Sequence, residues 1–276
     1  YGTVEEVTSS ASDFVNESEW MEFKFSTKSN DSSLTSLSDG GFLVSWVSDG
    51  IFAQRYDSSG MSLGAEFQVN SGTGSTTRSP SGSSLNDGGF VVTWSSDGIY
   101  GQRYDVAGLA IGNEFQITTY TGFTPSVTSL NDGRFVVTWT SSVQSGNYDV
   151  YGQTYDVAGL AIGSEFQINT YSASQQQGPF ISSLTDGGFV VTWESGWPND
   201  DNSQDGHDRG VFGQRYDLSG QISGEEFQVN TYIDGHQWLS SVTGLTDGGF
   251  VVTWSSGGNS SNLMAPSGNL VGQDGD

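Results

Sequence analysis

The sequence predicts an all-β fold, a five-bladed β-propeller of four-stranded blades whose ring is closed by the N-terminal strand. Three observations carry this expectation. The phrase DGGFVVTW at 87–94 recurs with small changes at 39–46, 132–139, 186–193 and 247–254. A second phrase, YGQRYD at 100–105, and a third, NEFQIT at 113–118, follow it in that order in four of the units. The aspartates that open the first phrase (Asp39, Asp87, Asp132, Asp186 and Asp247) stand 45 to 61 residues apart. That spacing suits a four-stranded blade with variable loops, and helical repeats fit badly because no apolar pattern of period 3.6 is sustained.

Each unit opens with a short run of small residues ending in leucine, such as PSVTSL at 125–130. Small side chains suit the innermost strand, the one most crowded at a propeller axis. Asp-Gly then marks a tight turn, expected to be a primed one with positive φ at its centre. In the strand that follows, Phe90, Val92 and Trp94 point to one face and Val91 and Thr93 to the other. Both faces are fit for burial, as between stacked blades. The third strand is the second phrase, seen again as FAQRYD at 52–57, YGQTYD at 151–156 and FGQRYD at 212–217. A Gly-x-x-x-Gly connection such as Gly108 to Gly112 leads to the fourth strand, AEFQVN at 65–70, SEFQIN at 164–169 or EEFQVN at 225–230.

The blades then occupy about 32–70, 80–118, 125–169, 179–230 and 240–273 of a single domain over 1–276, after an N-terminal extension at 1–20. MEFKFST at 21–27 repeats the fourth-strand phrase before any DGGF unit, and the last DGGF unit has no such phrase after it. Residues 21–27 are therefore expected to complete the C-terminal blade and remove both exposed sheet edges. LVGQD at 270–274 reads as a degenerate third strand of that blade, and YGT at 1–3 shares its pattern, which leaves open the terminus that supplies it.

Composition narrows the partners. Thirty-two acidic residues against 8 Lys and Arg give a formal charge of -24, which repels nucleic acid and anionic membrane surfaces. With no cysteine there is no disulfide framework, thiolate metal site or Cys nucleophile. No run of 18 apolar residues is present, so no membrane insertion is expected, and the start YGTVEEVTSS reads as that of a processed or excised chain.

Taken together, the DGGFVVTW, YGQRYD and EFQVN phrases over roughly 21–273 resemble a repeat family of large acidic bacterial surface or exported proteins, RTX-associated and adhesin-like. The resemblance implies an extracellular or cell-surface setting and an association with calcium. The chain lacks the glycine-rich nonapeptide array that binds calcium in RTX repeats, so the resemblance assigns no ligand residues.

The variable loops between second and third strands lie on one face with the blade-to-blade connections, and variable loops on a rigid scaffold are where binding tends to reside. The longest runs over 194–211 and holds Trp197, Asp200, Asp201, Asp205, His207 and Asp208. Asp200, Asp201, Asp205 and Asp208 offer hard oxygen ligands to calcium, or form Asp-Gly turns in a solvated loop. Trp197 and Trp238 fall outside the repeated phrases and read as sugar-stacking side chains or as caps over a blade edge. With the two histidines, His207 and His236, they form the expected ligand-binding set. The repeated Gln54, Arg55, Gln102, Arg103, Gln153, Gln214 and Arg215 lie at fixed strand positions and read as an inter-blade polar network.

No nucleophile elbow or zinc motif occurs. These residues favour a non-catalytic, lectin-like module that binds a glycan or cell-surface polysaccharide. The alternatives are a structural spacer or adhesion module, and a glycoside-cleaving enzyme, whose carboxylate pair is defined in space and not by spacing in the chain.

Overall fold

The computed structural model describes residues 31–72, 77–142, 147–197 and 202–257, and the backbone of 264–272. Among the described residues there are nineteen strands and no helix. The first sheet is β1 (Ser32–Ser36), β2 (Phe42–Val47), β3 (Ile51–Tyr56) and β4 (Ser62–Gln68), side by side in chain order. The second, β5 (Arg78–Ser84), β6 (Phe90–Ser95), β7 (Ile99–Tyr104) and β8 (Ala110–Thr118), repeats that order. So does the third, β9 (Gly122–Ser129), β10 (Phe135–Ser141), β11 (Asp149–Tyr155) and β12 (Ala161–Gln167). A fourth set comprises β13 (Gln176–Ser183), β14 (Phe189–Gly196), β15 (Arg209–Tyr216) and β16 (Ile222–Gln228). One parallel bridge, Arg209 with His236, joins it to β17 (His236–Gly244), β18 (Phe250–Gly257) and β19 (Met264–Gly272).

The architecture is thus all-β and propeller-like. The closing strand expected at 21–27 lies outside the described residues, as does YGT at 1–3. The last blade's third strand is β19, although its register sets Gly272 opposite Phe250. The repeated glycine of the other blades instead faces the strand threonine, as Gly101 faces Thr93.

Alternation along the second strands builds the core between sheets. Phe90, Val92 and Trp94 pack on Leu43, Ile51 and Ala53 of the preceding sheet. Val91 turns the other way, towards Phe135, Val137 and Trp139 of the next. The same arrangement joins the third sheet to the fourth and the fourth to β17 and β18. Trp94, Trp139 and Trp193 are at most 2% exposed, Trp46 is buried, and Trp254 is half-buried against the Phe250 cluster. In the first four sheets the second-strand phenylalanine stacks on the tyrosine opposite it, as Phe90 does on Tyr104 at 4.8 Å and Phe189 on Tyr216 at 4.6 Å.

The Asp-Gly turns differ from the primed turns expected. Only the glycine takes positive φ, 84° at Gly40 and 88° at Gly88, and its N–H bonds back to the leucine carbonyl three residues earlier. This is a type I turn followed by a left-handed glycine. The aspartate serves it twice. In Asp87, Oδ1 accepts the Gly89 N–H at 2.9 Å while Oδ2 pairs with Arg103 at 2.9 Å.

The repeated Gln and Arg are structural, but their ion pairs lie within a blade and not between blades. Arg55 pairs with Asp39 and Arg215 with Asp186, while the Arg55 stem lies under Gly108 of the next blade's turn. Gln102 Nε2 donates to the carbonyls of Arg103 and Ile111. Where Thr154 replaces the arginine, Arg134 stands in for a turn glycine, and its Nε reaches Asp132 at 2.6 Å.

The serines and threonines of the inner strands have a specific task. Ser81 and Ser83 hydroxyls accept the Val127 and Ser129 N–H groups of the next inner strand. Ser126 and Thr128 do the same for Ile181 and Ser183. Hydroxyls thus satisfy backbone donors that no neighbouring strand pairs, and bulky side chains would not fit: a Cβ on Gly82 would meet Thr35 Oγ1 at 2.4 Å.

Candidate active site in the axial cavity

The inner strands β1, β5, β9, β13 and β17 all contribute to one cavity of about 820 Å³, a volume typical of small-ligand sites. At its mouth the inner strands bulge. The register slips between Arg78 and Ser81, between Gln177 and Phe180, and between Trp238 and Ser241, and Thr124 and Pro125 form the corresponding bulge of β9. One residue of each bulge is left-handed: Ser79 at 53°, Thr124 at 47°, Gly178 at 63° and Leu239 at 52°. Three of the four carry a Cβ, a conformation that costs about 1–2 kcal/mol per residue. Bulges and strained backbone gather beside functional sites, where they re-aim a group.

Here the group re-aimed is a backbone N–H, bound by an acceptor from the preceding blade. Ser79 N–H reaches Asp31 Oδ2 at 3.4 Å, Gly178 N–H reaches Thr140 Oγ1 at 3.0 Å, and Leu239 N–H reaches Glu194 Oε1 at 2.7 Å. The acceptors Thr140 and Glu194 share one place in the repeat, directly after the strand tryptophan. Val47, Ser95 and Ser255 hold it elsewhere, so only the fourth blade puts a carboxyl there.

Glu194 is 7% exposed. Its Oε2 accepts Arg209 Nη1 at 2.9 Å across β14 and β15. Burial pushes its carboxyl above the usual range, and the Leu239 N–H and Arg209 offset only part of that effect. Asp31 is the other carboxyl lining the cavity. Phe123 and Phe180 line it too and are 38% and 42% exposed, with Phe123 edge-on to Tyr148 at 5.6 Å. Exposed aromatic faces beside two carboxyls suit a sugar ring held by its C–H face while a proton moves at one of its oxygens.

The expected site residues are partly gathered here. Trp197 is 50% exposed and has the Arg209 guanidinium over its ring, 5.3 Å from the centroid. His236 and Trp238 belong to β17, their rings tilted against each other with centroids 5.9 Å apart. Trp238 is partly exposed, and the edge of its ring lies over Gly257 of its own blade, the contact expected of a cap. Asp208 Oδ2 stands 3.8 Å from His236 Nδ1. His207 is exposed, and its N–H bonds to Asp205 Oδ1 at 3.0 Å in a local turn.

Asp200 and Asp201, half of the expected calcium set, lie outside the described residues. Among the described residues no group of three or more His, Asp or Glu side chains is placed to hold a metal. Nor are Glu194 and Arg209 loop residues as expected: they belong to β14 and β15, and the loop between them is 197–208. The sequence reading missed Glu194, Asp31, Phe123 and Phe180 as site residues. The available signal was the acid that breaks the repeat after Trp193, together with prolines at 80, 125 and 179 inside inner strands.

No family model matches the chain, and no curated protein matches it in sequence. Its fold is similar to several solved structures. The GH93 α-L-arabinofuranosidase of Fusarium graminearum in complex with arabinobiose aligns with a TM-score of 0.56 at 12% identity, over 83% of this chain and 77% of that one. An endo-1,4-β-xylanase of Bacteroides thetaiotaomicron aligns at 0.53 and 10% identity, over 89% and 91%. An endo-arabinase of the same organism gives 0.50 and 12%, over 89% and 94%. At such identities the likeness concerns the fold. It nevertheless corrects the expectation of a non-catalytic lectin-like module with its site on the loop rim: these similar folds are those of glycan-cleaving enzymes, and the cavity here is lined by the inner strands and by a buried carboxyl.

Proposed function

We propose that the protein cleaves glycosidic bonds in the axial cavity, with Glu194 as the residue that protonates the leaving oxygen. One observation carries this reading: Glu194, alone among the equivalent repeat positions in being acidic, lines the cavity as a buried carboxyl raised above its ordinary range. A carboxyl raised above its ordinary range keeps its proton to higher pH, the direction a general acid needs. Asp31, the other carboxyl lining the cavity, supplies the second carboxylate that glycoside cleavage requires. Phe123 and Phe180 give the sugar a stacking surface. The similar folds act on arabinose- and xylose-containing glycans, so pentose polymers are the substrate class to try first. Such polymers lie outside cells, in keeping with an extracellular setting.

The ring that surrounds this cavity is read as five blades, closed by residues 21–27. Support comes from the five inner strands that share the cavity and from the fifth copy of the fourth-strand phrase.

The test is product release from arabinan, arabinoxylan and xylan oligosaccharides by the purified protein and by Glu194→Gln. The parent should liberate sugars, and the variant should bind the same oligosaccharide while cleaving it at least about 100-fold more slowly. Hydrolysis that survives Glu194→Gln unchanged would remove Glu194 from the reaction. A parent that releases nothing from any of the three would overturn the enzymatic reading.

A further inference from the structure

Arg209 is the first residue of β15 and takes part in three contacts at once. Its Nη1 donates to Glu194 Oε2 at 2.9 Å, its guanidinium covers one face of Trp197, and its backbone bridges to His236 of the next blade. Its side chain is 17% exposed. Glu194 is thus gripped from two sides, by Arg209 through Oε2 and by the Leu239 N–H through Oε1, so neither oxygen swings freely. Trp197, by contrast, is half-exposed, with the Arg209 guanidinium over its ring.

We infer that Arg209 is the positioning residue of Glu194 and links it to a second sugar subsite at Trp197. The inference deepens the glycoside-cleaving reading and rests on it. A sugar stacked on Trp197 would complete a sandwich of pyranose or furanose ring, indole and guanidinium. By immobilising Trp197 it would hold Arg209, and with it Glu194, in the geometry observed. Binding energy from a sugar remote from the cleaved bond would then be used to orient the acid. A chain long enough to reach Trp197 is therefore the expected substrate, and a single sugar unit a poor one.

The charges around Glu194 bear on the test. Arg209 on β15 lowers its tendency to hold a proton, and the Leu239 N–H on β17 acts in the same direction. Asp208 and His236 are next to Arg209 in the chain and across the bridge, and Asp31 lines the same cavity. Replacing Arg209 by an uncharged residue of similar length leaves all of these in place.

The experiment compares Arg209→Met, Arg209→Lys and Trp197→Ala with the parent in two measurements. The first is an NMR titration of the Glu194 carboxyl carbon in ligand-free protein, assigned by its loss in Glu194→Gln. Arg209→Met should shift the midpoint upward, Arg209→Lys should return it most of the way, and Trp197→Ala should move it little. The second is steady-state hydrolysis of a long pentose oligosaccharide against a one-sugar aryl glycoside. Trp197→Ala should lower kcat as well as kcat/KM severalfold for the long substrate only. Arg209→Lys should keep the midpoint yet lose kcat severalfold, because an ammonium lacks the planar fork that orients a carboxylate.

An unchanged midpoint in folded Arg209→Met would overturn the role of Arg209. If Arg209→Met does not fold, an Arg209→Lys enzyme with parental kcat has the same force. Equal kcat/KM effects of Trp197→Ala on both substrates, or an effect on KM alone, would overturn the subsite's role. Since the titration needs no substrate, a protein without hydrolytic activity would defeat the enzymatic reading while leaving the arginine's hold on Glu194 separately decided.

Discussion

Truncating Trp94 to alanine should destabilise the protein by about 3–5 kcal/mol, the usual cost of a large-to-small change in a core. The magnitude follows from its surroundings. Trp94 is 2% exposed, stacks on Tyr100 at 6.1 Å and packs with Phe90 and Val92 against Leu43, Ile51 and Ala53 of the neighbouring blade. An indole buries on the order of 200 Å², which at about 25 cal/mol per Å² is worth roughly 5 kcal/mol before the retained Cβ is subtracted. Because the site joins two sheets, the walls cannot collapse inward without breaking strand pairing, so a cavity should remain. The contrast is Trp197, 50% exposed on a loop, whose truncation should cost no more than about 1 kcal/mol. Urea unfolding followed by far-UV circular dichroism measures both without relying on tryptophan fluorescence. Equal stability losses in the two variants, or none in Trp94→Ala, would refute the division between core and surface tryptophans.

Two further outcomes follow from the polar contacts. Because Glu194 is raised in the folded state, its protonated form stabilises the fold at low pH, and that contribution is lost as pH rises through the folded value; Glu194→Gln should therefore gain stability relative to the parent as pH is raised from about 4 to neutrality, and parallel urea midpoints across that range would contradict it. Arg134→Gly should lose the pair with Asp132 and about 0.5–1 kcal/mol, and adding Thr154→Arg should restore it by recreating the pair of the other blades; a double variant no more stable than the single one would show that Arg134 acts otherwise.

Much of the fold was legible because the repeat writes each strand several times. Phe90, Val92 and Trp94 face one neighbour and Val91 the other, as alternation requires, and the small residues of PSVTSL do belong to an inner strand, β9. The turn type was not legible, because Asp-Gly fits both a primed turn and a type I turn with a left-handed glycine. Only the Asp87 bonds to Gly89 and Arg103 show which is used.

The site was harder to see for a physical reason. A reading built on repetition treats departures as loop variation, and Glu194 looks like the first residue of a long acidic loop. It is instead strand, in register opposite Val211, and it lines the cavity. Its partners come from positions 209 and 239, brought close by sheet pairing and by a bulge that no local pattern announces. Asp205 Oδ1 accepts the His207 backbone N–H in a local turn, a contact that leaves the His207 imidazole and Asp205 Oδ2 outside it.

The central claim is that Glu194 delivers a proton to the departing oxygen, and the dependence of Glu194→Gln on leaving group tests it most directly. An aryl glycoside with an acidic phenol needs little protonation, whereas an alcohol or sugar leaving group needs it fully. The account predicts that kcat/KM of Glu194→Gln falls about 100-fold or more on a pentose oligosaccharide and only slightly on a dinitrophenyl pentoside. An equal loss on both substrates would contradict it, because the carboxyl would then be serving some purpose other than protonating the leaving group.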